Sequence, residues 1–194
     1  MTIKKSIEKT KQQLKQMLNE NEDIVVYEGE FLKKKYCIFY VQNFVDLKRL
    51  SQEIIKPLKD LKKLPKSKLV DYLMKNVLMV GGQEKLETME ACQKAVLDGN
   101  ALMIIDGQSY AIKCAITQFE ERSIVEPPTS AVIFGPREGF VESIKTNTVL
   151  IRKRLPTSAL KIKQLSLGNY TKTKVNIMYL NDIADKKVVQ KVLD

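Results

Sequence analysis

Two distant stretches of this chain repeat one pattern without a gap. GEFLKKKYCIFYVQNFVD at 29–46 lies over GNYTKTKVNIMYLNDIAD at 168–185, each residue 139 positions after its counterpart. Gly29/Gly168, Lys33/Lys172, Lys35/Lys174, Ile38/Ile177, Tyr40/Tyr179 and Asp46/Asp185 are identical. Phe31/Tyr170, Phe39/Met178, Val41/Leu180 and Phe44/Ile183 keep apolar character. The helices ahead of both stretches also correspond. Ile7, Leu14 and Leu18 lie over Ile144, Ile151 and Leu155 at an offset of 137, which leaves two extra residues in the helix–strand loop of the second copy. Self-similarity of this kind reads as a duplicated supersecondary unit. The chain is therefore expected to hold two lobes, 1–127 and 128–194. The second copy stops at the equivalent of about residue 55, so a full second lobe needs about 70 more residues. The chain reads as a fragment or a truncated form.

The local patterns support a mixed α/β (α+β) class, with helices packed on small mixed sheets and an incomplete second lobe. Apolar residues at Ile3, Ile7, Leu14, Met17 and Leu18 form a narrow helical stripe. Asp23–Phe31 and Lys35–Val41 are rich in strand formers and flank a basic turn. Val45–Ile55 reads as helix stopped by Pro57, and a further helix starts at Pro65 and reaches Asn76. Gly81-Gly82 breaks the chain, and Glu84–Leu97 reads as one helix ended by Gly99. Asp106-Gly107 joins Ala101–Ile105 to Tyr110–Ile116 as a hairpin. Glu126-Pro-Pro reads as a linker and Ala131–Phe134 as a short strand. Gly139–Arg154 reads as helix, Ala159–Leu167 and Thr171–Leu180 as strands, and Asp185–Leu193 as a closing helix.

Composition narrows the chemistry. The sequence has no histidine, which removes Ser-His and Cys-His nucleophile pairs and leaves a zinc site short of ligands. Cys37, Cys92 and Cys114 are odd in number and widely spaced, so they read as buried free thiols rather than a disulfide framework. Gly81-Gly82 lacks the Lys and hydroxyl of a phosphate loop, and Glu120-Glu121 reads as a solvated pair. No enzyme, cofactor or metal is expected. The net charge of +10 fits nucleic acid, an anionic membrane surface or plain solubility. No apolar run reaches the roughly 20 residues of a membrane span, and the N-terminus is too polar for a secretory signal.

The densest motif is EPPTSAVIFGPREGFVESIKTNTVLIRKRL at 126–155. Gly139 supplies backbone freedom after the Pro136-Arg137-Glu138 turn. Glu142 falls in the expected first helical turn and Arg152, Lys153 and Arg154 in the last, as the helix dipole favours. Phe140, Ile144 and Ile151 share one face and are expected in the core. Thr146, Asn147 and Thr148 sit mid-helix against propensity, which marks a structural or functional role.

This segment resembles the signature of the A subunit of GerA-type spore germinant receptors, approximately G-P-R-[DE]-G-F-x-E-x-[LI]-[RK]-T-N-T-x-L-[LI]-R-x-[RK]. Gly135 to Gly139, Phe140, Glu142, Ile144 to Thr148, Leu150, Ile151, Arg152 and Arg154 fit it. The resemblance implies an N-terminal signalling domain of a receptor in the spore inner membrane, on the core side. It implies B and C receptor subunits as partners, self-association of A subunits, and response to a small-molecule germinant. Pro136, Arg137, Glu138, Gly139, Phe140, Thr146, Asn147 and Arg152 are the candidate ligand or subunit contacts. The alternative is a basic nucleic-acid-binding module using Lys33–Lys35, Lys172, Lys174 and Arg152–Arg154. No helix-turn-helix, zinc or RNP signature accompanies those lysines, so nucleic acid is not the expected partner.

Overall fold

A computed structural model describes residues 1–65, 68–118 and 139–194. The linker expected at 126–128, the strand at 131–134, Glu120-Glu121, and Pro136, Arg137 and Glu138 lie outside the described residues.

Helix α1 (Ile7–Met17) leads into strands β1 (Ile24–Phe31) and β2 (Lys34–Val41). They pair antiparallel from Ile24↔Val41 to Phe31↔Lys34. The two-residue turn places Leu32 and Lys33 at φ 46° and 64°, the left-handed pair that matches strand twist. A helical run follows: α2 (Leu47–Arg49), a π-helical stretch (Leu50–Ile55) and α3 (Lys56–Asp60). Then come α4 (Leu69–Asn76), β3 (Gln83–Leu86), α5 (Met89–Leu97), β4 (Ala101–Ile105) and β5 (Ala111–Cys114).

These strands form one antiparallel sheet in the order β1-β2-β4-β5-β3. Central β4 is buried along its whole length, so its run ALMII lacks the alternation of a one-sided strand. One face packs Leu14, Leu18, Phe39, Met89 and Leu102 under α1 and α5. The other packs Ile38, Ile54, Leu58, Leu73 and Met103 under the π–α3 run and α4.

Several boundaries differ from the sequence expectation; the helix expected from Pro65, for one, starts at Leu69. Pro57 does not stop the helix, which runs on to Asp60. Proline removes the amide that would bond the Glu53 carbonyl. The chain widens to π geometry ahead of it, and the Met79 N–H donates to Glu53 instead at 3.0 Å. Likewise Glu84–Leu86 belong to a strand, not to the following helix. They pair with Ala111–Lys113, and α5 starts only where the Thr88 hydroxyl accepts the Ala91 N–H.

Beyond 139 stand α6 (Ile144–Arg154), the antiparallel pair β6 (Leu160–Leu167) and β7 (Thr173–Leu180), and α7 (Lys186–Leu193). The element bounds of 143–185 follow those of 6–46 in order. Shifted by 137, α1 and its N-cap Ser6 become α6 and Ser143. Shifted by 139, β2 becomes β7 and the cap Asp46 becomes Asp185, both accepting backbone N–H groups of the helix they start.

The gapless alignment fails at its beginning. β1 maps onto β6 at an offset of 136, not 139. The three extra residues sit in the second hairpin turn, 168–172, rather than in the helix–strand loop. Gly29 lies within β1 opposite Tyr36, whereas Gly168 lies in a turn at φ +85°. Lys33 and Lys172 remain equivalent, both left-handed.

Gly99 follows α5 at φ +86°, and an added Cβ would meet Phe44 Cδ1 at 2.4 Å. Gly99→Ala should cost more than about 1 kcal/mol in urea unfolding. Gly81→Ala, with nothing within 4 Å of its Cβ position, should stay within about 0.5 kcal/mol. Burial pushes the Cys37, Cys92 and Cys114 thiols up to about 12. Near neutral pH none should react with a maleimide until the chain is unfolded, as read by mass spectrometry.

Candidate functional site: the joint around Arg152

Helix α6 begins five residues later than expected because Ser143 caps it, its hydroxyl accepting the Thr146 N–H at 3.3 Å. The mid-helix Thr-Asn-Thr then has a physical account. Asn147 accepts the Val141 N–H at 2.8 Å and donates to the Val141 carbonyl at 2.7 Å. Its amide thus pairs with the segment before the helix as a neighbouring strand would. Thr148 donates to the Ile144 carbonyl at 2.7 Å and accepts from Asn176 on β7 at 2.8 Å.

One turn on, Arg152 is 0% exposed. Its Nε donates to Asp23 Oδ2 at 3.1 Å, and its Nη2 lies 2.9 and 2.8 Å from the two carboxylate oxygens. Nη1 donates to the Thr157 carbonyl at 2.8 Å and Nη2 to the Leu160 carbonyl at 3.1 Å. This two-pronged fork is the geometry a planar guanidinium makes with a carboxylate. Burial pushes the Asp23 carboxyl above its ordinary value, and the charges of Arg152 and Lys161 oppose that push.

Around the pair, the loop after α1 meets the loop after α6. Asn19 and Asn21 each donate to the Ser158 carbonyl at 3.0 Å. Gln93 on α5 donates to Ser158 Oγ at 3.3 Å and to the Met17 carbonyl at 2.6 Å. Lys161 bonds the Asn19 carbonyl, and Lys163 pairs with Glu22. Val149 adds an apolar contact with the cluster under α1.

The motif residues divide by position. Arg152 and Asn147 hold backbone and carboxylate partners. Thr146 is half-buried, Gly139 is half-exposed, and Phe140 is 69% exposed, not in the core. Ile144 and Ile151 are only half-buried, and α6 buries Thr148, Leu150 and Arg152 instead. Thr148 and Arg152, one turn apart, are the polar part of what α6 buries, beside Leu150 and the half-buried Val149. Glu142 precedes the cap rather than entering the first turn. Arg152 acts through its ion pair, not as a helix-end charge.

Asp23, Asn19, Asn21 and Ser158 were not singled out by sequence reasoning. The repeat held a faint signal, since Asn21 and Ser158 occupy equivalent positions at the 137 offset.

A cavity of about 320 Å³ lies apart from these residues, between α1 and the β1–β2 hairpin. Its lining includes Glu8, Lys11, Glu28, Glu30 and Lys35. Lys11 already pairs with Glu8 at 2.7 Å and Glu28 at 3.1 Å, which raises its pKa. Among the described residues no helix is long and apolar enough to cross a membrane.

Residues 12–194 match the model of the family described as Bacillus/Clostridium GerA spore germination protein. The chain belongs to the GerA family. It is 28% identical over 193 residues to Spore germination protein KA of Bacillus subtilis (strain 168), which covers 98% of this chain and 36% of that protein. It is 30% identical over 195 residues to Spore germination protein B1 of the same strain, covering 99% of this chain and 40% of that one. The GerA-family chain thus spans less than half the length of these relatives. Its fold matches the crystal structure of the N-terminal domain of the A subunit of the Bacillus megaterium spore germinant receptor GerK3. The TM-score is 0.72 at 20% identity, over 100% of this chain and 71% of that one.

Arg152→Met should destabilise the chain by about 3–5 kcal/mol, because it strands the Asp23 carboxylate. Without the guanidinium the Asp23 pKa rises further. The folded state then holds a proton that the unfolded chain has released, so stability falls as pH rises through that window. Denaturation of the variant should therefore show a smaller loss at acidic than at neutral pH. Asn147→Ala, which leaves both Val141 backbone groups unpaired, should cost about 1–3 kcal/mol in the same measurement.

Proposed function

We propose that this chain is the sensing and signalling part of a nutrient-germinant receptor A subunit. It works as two lobes, 1–127 and 128–194, within a longer protein. Family membership over 12–194 is the observation that carries this reading. Supporting it is the joint between the two helix–hairpin units, which is built from polar side chains and loops. Polar contacts between units are those that can part and resolvate, as a moving signal requires.

In this reading the receptor sits in the spore inner membrane with this region on the core side. It assembles with B and C subunits and with further A subunits. A small-molecule germinant, or a partner that has bound one, shifts the angle between lobes by preferring one arrangement. The charge of +10 suits a region beside an anionic membrane leaflet.

Spores lacking the gene that encodes this chain should stay dormant in at least one nutrient that germinates the parent, and recover when it is returned. The loss of optical density on germination reads this directly. Unchanged germination in every nutrient overturns the proposal.

A further inference from the structure

The joint brings together two loops that the duplication makes equivalent, 18–23 after α1 and 155–159 after α6. Asn21 touches its own counterpart, Ser158, at 3.0 Å. The ion pair, however, has no second copy. Arg152 stands where the first unit has Lys15, which is exposed, and Asp23, the last residue before β1, stands where the second unit has the apolar Ala159, the last before β6. At these equivalent positions of the described residues the joint holds one buried guanidinium–carboxylate contact, where a symmetric joint would have two or none.

Its neighbours are weak by comparison. The side chains of Lys163 and Glu22 are 41% and 53% exposed, and exposed pairs contribute little. Asn19 is exposed, and the joint it helps to make is mostly polar, so parted surfaces would be hydrated at modest cost. The Arg152 fork differs. It has two carboxylate oxygens and two carbonyls for partners, and none of its surface is open. A planar fork of this kind sets orientation as well as distance.

We infer that the Arg152–Asp23 pair is a latch that fixes the angle between the two helix–hairpin units, and that opening it frees that angle without unfolding either unit. Each unit keeps its own hydrogen-bonded hairpin and capped helices. Any ligand or partner that prefers a different angle must work against this contact, and removing the contact lowers the threshold for it. That consequence for signalling rests on the function proposed above; the latch itself does not.

The test is a distance measurement on the chain in solution. Lys33→Cys and Lys172→Cys place spin labels at the two hairpin turns, both exposed, where a small rotation at the joint becomes a large displacement. The three native thiols are buried and stay unlabelled. The parent should give one narrow distance distribution by double electron–electron resonance. Arg152→Met should broaden it or add a second distance, with the unlatched population up by roughly a hundredfold or more, while the circular dichroism of both units persists.

Asp23→Asn keeps the shape of its side chain, and it decides the matter if Arg152→Met does not fold. Exchange of the two charges, Asp23→Arg with Arg152→Asp, should narrow the distribution again. A distribution unchanged in Asp23→Asn overturns the latch, as does loss of both units together in that variant. No nutrient enters this measurement, so its failure leaves the germination reading standing. Unchanged germination of the gene deletion, in turn, leaves the latch standing.

Discussion

One guanidinium, shut away from water on every side, ties the residues after 139 to those before 118. Arg152 ends the buried face of α6, reaches the carboxylate just ahead of β1, and fixes the carbonyls of Thr157 and Leu160 at the start of β6. A buried charge is tolerated only with its partner in place. The placing of loop 18–23 against 155–160 therefore depends on this one contact, while α6 keeps its own bond to β7 through Thr148 and Asn176. The large sheet beneath has its own core on both faces and needs no such device.

Much of this architecture can be read from periodicity. β2 and β7, the caps Asp46 and Asp185, and the start of α7 are legible because each depends on neighbouring residues alone. The duplication makes the same pattern visible twice. Where two copies differ in loop length, alignment by eye drifts. Gly29 and Gly168 are identical in the alignment, yet a strand glycine facing Tyr36 and a left-handed turn glycine share only a letter.

The elements that escaped are those decided by partners far along the chain. Gln83–Leu86 is a strand because β5 offers it an edge, against a helical pattern in its own residues. The Thr146–Thr148 run is odd for a helix by propensity. Its purpose needed the position of Val141, and the purpose of Arg152 needed Asp23, 129 residues away. Basic residues at a helix end satisfy the dipole so readily that a buried ion pair is hidden behind the ordinary explanation. Phe140 shows the converse: an aromatic on the expected apolar face, left in solvent once Ser143 starts the helix after it.

Pro57 shows the interior equivalent of that effect. By withholding an amide it leaves the Glu53 oxygen to the main chain of residue 79, whose own side chain is 74% exposed. The information at position 79 resides in its peptide group alone. Evolution is free to write almost any amino acid there, with one exception: a second proline, which would leave the first one's orphaned carbonyl without a donor.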